Sequence, residues 1–481
     1  IFCSKSAIIN IVISELKGVG KMFKKFTNGC VKLVQRFLPD AFVFCIILTI
    51  VVFIAAMPVA GMNPIEVANA WGSGVWGLLA FSMQMALVLV LGSALANAPA
   101  IKKLIVKLAG VPKKPVGAVA FVTIISAICC FINWGFGLII GALLAKEVAK
   151  KIKGLDYRLI IAAAYSGFVI WHAGISGSIP LGMTSLNADG VVDNTAGAVT
   201  EIVPTSQTIF SAWNLIMVLA VVVVVAFVNA KMHPDPKDVV SIDPKLLEDA
   251  PDNTEVKARK DQTPAEKLEN SMVLSYIVVV IGAIYLIYYF VNAGSILNAL
   301  SLNIVNLIFL ILGIAFHKTP ISYVRAITES AESAGGIILQ FPFYAGIQGM
   351  MVTVGSNGVS LASAISTAFV NISTPRTFPV LCYLAAGIVN FFVPSGGGQW
   401  AVQGPIMMPA GLELGVTPAV TAMGIAWGDA WTNMLQPFWA LPALGIAGLG
   451  ARDIMGYCAI VLIASGIVTA LGFLFLVPLL A

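Results

Sequence analysis

Three breaks in otherwise apolar segments, and one lone carboxylate, hold the residues of this sequence whose types and spacing could do chemistry. The most pronounced break reads Ser395-Gly-Gly-Gly-Gln399. Three consecutive glycines, Gly396, Gly397 and Gly398, make a poor helix interior at about 1 kcal/mol each. They can instead expose backbone N–H groups where the next half-helix begins, and the positive end of that half-helix attracts an anion. Ser395 and Gln399 add donors without fixed charge, which suits a carboxylate that must be released again. A tight turn with no ligand is the plainer alternative. An opposed break reads Asn133-Trp-Gly-Phe-Gly137. Asn133 offers an amide there, and carbonyls freed at a half-helix C-terminus can hold Na⁺; a structural kink explains Asn133 as well. The third break, Trp171-His-Ala-Gly-Ile-Ser-Gly-Ser178, sets Ser176 and Ser178 where they could coordinate an ion or substrate, or simply let helices pack closely. Between Arg376 and Arg452 only Glu413 and Asp429 carry charge, and Asp429 lies mid-helix by count. An intramembrane carboxylate is a candidate cation ligand or proton carrier, and Asn433 stands beside it. A hydrogen bond to a neighbouring helix is the alternative. His172 could carry a proton, although a lone histidine is more often structural.

The elements that must position these residues follow from composition. Of 481 residues 59% are hydrophobic and 11% charged, and mean hydropathy is +0.94. Soluble proteins carry about 25% charged residues, so this chain lacks the polar surface for water-soluble domains and lipid must be its solvent. Runs long enough to cross the hydrocarbon fall at about 40–60, 75–98, 209–230, 271–291, 301–317, 335–354 and 456–480. Residues 231–270 hold 17 of the 51 charged residues and five prolines, which reads as a solvated linker between membrane halves 22–230 and 271–481. Residues 1–21 precede Met22 and are set aside as an upstream or appended segment. The seven cysteines show no paired spacing, so neither a disulfide framework nor a zinc site is expected.

The stretch 115–145 contains 31 uncharged residues, too many for one span and too few for two with a loop. A re-entrant hairpin fits, and the distribution of positive charge supports it. With a cytoplasmic N-terminus and a hairpin at 115–145, Arg376 alone of the 28 Lys and Arg residues falls outside. By the same topology 377–412 is a second hairpin, opening from the opposite side. The halves correspond at an offset of about 256–263 residues, with the hairpins inverted. The expected fold is therefore an all-α polytopic membrane protein of two inverted-topology repeats, each with a re-entrant hairpin and a broken transmembrane helix. Such repeats mark secondary transporters, with binding where the breaks meet. An ion or anion channel lined by the same hairpins is the alternative. An enzyme is not expected, because the apolar segments contain no nucleophile–base pair or metal set. No Gly-x-x-x-x-Gly-Lys-Ser/Thr loop is present to use ATP, and no nucleic-acid partner or cofactor is expected.

Val393-Pro-Ser-Gly-Gly-Gly-Gln-Trp-Ala-Val-Gln-Gly-Pro405 resembles the signature of the bacterial short-chain fatty acid transporter family. So do Ile132–Leu138, Val240–Leu246, Gln340–Ile347 and Gln436–Pro442, and the resemblance covers about residues 30–480. It implies an inner-membrane carrier for acetoacetate, butyrate and similar monocarboxylates, Na⁺- or H⁺-coupled, working by alternating access. The wider ion transporter superfamily, to which the family is similar, implies paired hairpins and a homodimer. An acidic residue at position 429 agrees with the family pattern. At His172 the family has glycine, so the resemblance transfers no role to that residue.

Overall fold

The computed structural model describes residues 41–243, 262–296, 299–391, 393–435 and 438–481. All regular structure among them is helical. The expected segment 1–21 lies outside the described residues, as do residues 244–261 of the charged linker.

The apolar runs form helices Ala41–Ala60, Leu79–Ala96, Ala212–Lys231, Met272–Asn292, Leu302–His317, Gly335–Val352 and Ala451–Leu471. A 20-residue helix spans about 30 Å, the thickness of a bilayer's hydrocarbon. Proline opens several helices, as at Pro64, Pro99, Pro115, Pro320 and Pro418. Its missing N–H leaves no intrahelical bond unmade at that position. The burial pattern reverses that of a soluble protein. Met272–Asn292 is apolar all round, yet buries only Ser275 and Gly282. Tyr157–Ser166 is buried at every residue but Arg158, and the 3₁₀ turn Gly167–Ala173 that continues it encloses His172. Apolar residues face outward where lipid would be, and the polar ones are drawn inward.

The stretch read as the first hairpin forms helices Pro115–Ile132 and Trp134–Lys151, with Asn133 alone between them. A Cβ on Gly137 would strike Cys130, and one on Gly141 would meet Ser126. Both pairs are centred on the break, so the arms run antiparallel, and glycine lets their backbones touch. The second arm extends beyond the expected 145, because Lys146 to Lys151 continue the helix into a charged end. Each arm has 18 residues, about 27 Å of helix. The second hairpin consists of Phe378–Asn390 and Gly396–Glu413. The start of the linker folds back on the core: Asp156 accepts the Val240 N–H at 2.9 Å, while the Tyr157 N–H donates to the Val240 carbonyl at 2.7 Å.

Candidate functional site

The two hairpin tips share one local geometry. Asn133 has φ −153° and ψ 122°, and Ser395 has φ −148° and ψ 114°. Each caps the helix that follows it. Asn133 Oδ1 accepts the Phe136 N–H at 2.9 Å, and Ser395 Oγ accepts the Gly398 N–H at 3.4 Å. A short polar side chain in extended backbone is the usual start of a helix. Each hairpin also carries a buried helix in the same way. Gly167 lies against Ser126 and Ala127, and Gly428 lies against Tyr383, Ala386 and Gly387. The caps are 395 − 133 = 262 residues apart and these glycines 428 − 167 = 261.

At the second tip, Gly396 and Gly397 occupy the first helical positions, whose N–H groups have no intrahelical acceptor. Both glycines line a small cavity of about 20 Å³, room for roughly one water molecule. Trp134, Trp171, Trp439 and Phe341 supply its aromatic walls, and Ser178 and Ser395 its hydroxyls. The Trp439 indole N–H donates to the Pro394 carbonyl at 2.9 Å and so fixes the approach to the tip. Little room separates the glycines from their neighbours. A Cβ on Gly396 would fall 2.5 Å from His172 Cε1 and 2.7 Å from Trp171 Cη2. One on Gly397 would fall 2.6 Å from Phe81, and one on Gly398 would strike the Tyr344 ring. Helix-terminal N–H groups beside hydroxyls and aromatic faces have the chemistry to contact a small anion with an apolar body.

Beside this chamber lies a fully buried acid–base pair. His172 Nδ1 and Asp429 Oδ2 are 2.8 Å apart, and both residues are 0% exposed. The other ring nitrogen, Nε2, accepts the Ile179 backbone N–H at 3.1 Å and lies 2.8 Å from Ser178 Oγ. A nitrogen that accepts an N–H carries no proton of its own, so the neutral ring bears its proton on Nδ1 and donates it to Asp429. Asp429 Oδ1 has no hydrogen-bond partner. The helix holding Asp429, Pro418–Thr432, ends three residues later, so the carboxylate sits in a last turn and not mid-helix as its position by count suggested. The Asn433 side-chain amide donates to the Asp429 carbonyl at 2.9 Å and closes that turn. Tyr165 Oη donates to the Asn433 carbonyl at 2.8 Å, and Asn433 Oδ1 has no partner.

The residues singled out in the sequence separate into those the fold gathers and those it does not. Ser178, Ser395, Gly396 and Gly397 meet at the cavity, and Asp429 reaches it through His172. Asn133 and Ser176 organise the first tip, where Ser176 Oγ accepts the Trp134 N–H at 3.0 Å. The Asn133 amide nitrogen is buried without a partner. Gln399 turns away: its amide donates to the Ala386 carbonyl at 2.8 Å and to Gln403 Oε1 at 2.7 Å. Both hydrogens of the Gln399 amide are thus spent along the hairpin, and of the two side chains expected at the break Ser395 alone lines the cavity. The sequence reading passed over the tryptophan walls and the link from His172 to Asp429.

Residues 22–476 match the protein family described as Short chain fatty acid transporter. An Escherichia coli K12 protein provisionally named a short-chain fatty acid transporter is 44% identical over 451 residues, 94% of this chain and 99% of its own length. A Haemophilus influenzae Rd protein of the same provisional name is 44% identical over 95% of this chain and its entire length. Among solved structures, the Alcanivorax borkumensis YdaH transporter, described as having an unusual topology, shares the fold at a TM-score of 0.57 and 14% identity. The match covers 92% of this chain and 98% of that one.

Proposed function

The chain belongs to the short chain fatty acid transporter family, and from that premise we propose that it is a secondary active transporter importing acetoacetate, butyrate and similar monocarboxylates across the bacterial inner membrane. The observation that carries this reading is the glycine half-helix end facing a cavity walled by rings. The carboxylate lies against the Gly396 and Gly397 N–H groups and the Ser178 and Ser395 hydroxyls. Its short aliphatic body rests on Trp134, Trp171, Trp439 and Phe341. With about 20 Å³ of room the cavity holds roughly one water as it stands, so a short acid enters only once its walls part during the transport cycle. Uptake is coupled to Na⁺ or H⁺, and Asp429 is the group that recruits the cation.

In this reading the hairpins are re-entrant and inverted with respect to each other, the N-terminus is cytoplasmic, and the carrier works by alternating access. The matching caps and glycine seams at offsets of 261 and 262 support a repeated unit. Pairing of two copies through the exposed apolar helices is part of the proposal, and crosslinking in native membranes would test it. The decisive experiment is uptake of labelled butyrate into liposomes containing the purified protein, under Na⁺ and proton gradients imposed separately. Saturable uptake and counterflow are expected. Ion currents far above a carrier's turnover, without counterflow, would make the protein a channel instead.

A further inference from the structure

We propose that the coupling ion is a proton taken up by the buried His172–Asp429 pair, and that Ser178 transmits its presence to the carboxylate chamber. This rests on the carboxylate-carrier reading and adds to it the ion and the route of coupling.

The hydrogen bonds define the unloaded state. The Ile179 N–H points at Nε2, so the ring proton is on Nδ1 and is donated to Asp429 Oδ2. The Ser178 hydroxyl, 2.8 Å from Nε2, directs its own proton at that same lone pair. One proton added at Nε2 changes both contacts. The ring becomes an imidazolium and keeps its Nδ1–H bond to Asp429, while Nε2–H becomes a donor. Ser178 Oγ must then accept from it, which frees the hydroxyl proton to turn into the cavity that Ser178 lines. The Ile179 N–H loses its acceptor at the start of Ser178–Gly182. One proton is gained and no heavy-atom bond is made or broken.

Two consequences favour an anion. The chamber gains a hydroxyl donor, and a cationic ring lies beside Gly396, where a Cβ would be 2.5 Å from His172 Cε1. Coupling of this kind is reciprocal: bound carboxylate strengthens proton binding as much as the proton strengthens carboxylate binding. Proton and substrate therefore load together. The uncharged titratable side chains on elements packed around the pair are Cys129, Cys130, Tyr157, Tyr165, Cys382, Tyr383, Tyr457 and Cys458. The charged residues on those elements include Lys146, Glu147, Lys150, Lys151, Arg158, Lys231, Glu413, Arg452 and Asp453. The unpartnered oxygens of Asp429 and Asn433 make Na⁺ the competing occupant.

The structure also supplies a probe. Trp171 stacks on His172 with ring centroids 4.0 Å apart and planes 11° apart. An imidazolium against an indole face quenches its emission, so Trp171 fluorescence, identified by difference from Trp171→Phe, reads the charge of His172 without any substrate. Purified protein in Na⁺-free buffer would be titrated from alkaline to mildly acid pH, and the butyrate Kd measured over the same range. The expected result is quenching on acidification, with butyrate affinity rising towards tenfold per pH unit on the steep limb. His172→Gln should lose both effects. Ser178→Ala should keep the quenching and reduce the pH dependence of Kd to the part carried by the ring's charge alone. Wild-type affinity that ignores pH and follows Na⁺ would overturn the proposal, as would full pH dependence in Ser178→Ala. If the wild type binds no short monocarboxylate, the carrier reading fails separately, and the Trp171 titration still decides where the proton goes.

Discussion

Replacing Gly397 by valine tests the anion chamber most directly. Already the first carbon of the new side chain would lie 2.6 Å from Phe81 Cε1 and 3.0 Å from Phe341 Cζ. Both obstacles are ring ends and not backbone, so they can shift, and overpacking of this kind costs about 1–3 kcal/mol. Removing glycine from a helix returns somewhat under 1 kcal/mol. The net loss of stability is then about 1–2 kcal/mol, which a membrane-inserted protein of ordinary stability tolerates. Binding suffers more. The isopropyl group occupies the space in front of the Gly396 and Gly397 N–H groups, and each charge-assisted hydrogen bond lost there is worth about 1.5–3 kcal/mol. Losing two weakens butyrate binding by roughly 10²-fold or more, at 1.4 kcal/mol per factor of ten. Tryptophan emission during butyrate titration gives Kd, and size-exclusion chromatography confirms the fold. A well-folded Gly397→Val protein with wild-type Kd would move the carboxylate elsewhere and refute the argument.

Asp429→Asn should reduce gradient-driven accumulation of labelled butyrate to simple equilibration, because the variant cannot stabilise a charged His172; wild-type accumulation under either gradient would return Asp429 to a packing role. Asn133→Ala removes the cap at the first tip and should lower stability by about 1 kcal/mol, visible as a lower melting temperature with butyrate Kd little changed. Cysteines at positions 114, just before the first hairpin's first arm, and 146, in the charged end of its second arm, should both be labelled from the cytoplasmic face; labelling from opposite faces would sink the re-entrant topology.

The sequence revealed the scaffold better than the site, for physical reasons. A helix in lipid must satisfy its own backbone, so apolar runs such as 40–60 and 209–230 declare the helices Ala41–Ala60 and Ala212–Lys231 within a few residues. The hairpin tips were equally legible, because an extended Asn133 or Ser395 followed by glycine is a local pattern. The end of the first hairpin was missed because lysines at 146–151 look like a loop yet continue a helix. Gln399 was placed at the break by its position, but only tertiary packing decides that its amide turns to Ala386 and Gln403. The pairing of His172 with Asp429 joins residues 257 apart. Each stood out alone as an oddity in apolar surroundings, and nothing local to either names the other.

If the Gly396–Gly397 tip receives the carboxylate as proposed, the lack of a lysine or arginine among its described residues has an electrical consequence. A lysine or arginine there would oblige the empty carrier to drag a cation back through the membrane field. Peptide dipoles at Gly396 and Gly397 offer only a fraction of a charge, fixed to the backbone. With the proton on the pair, the loaded carrier holds a neutral His172–Asp429 unit and one carboxylate, a total of one negative charge. The empty carrier holds the unprotonated pair, again one negative charge. Both strokes therefore move the same charge in opposite directions, and a potential worth about 2.3 kcal/mol per charge per 100 mV does no net work over a cycle. A potassium diffusion potential should alter how quickly butyrate accumulates in vesicles but leave the final ratio to the pH difference alone.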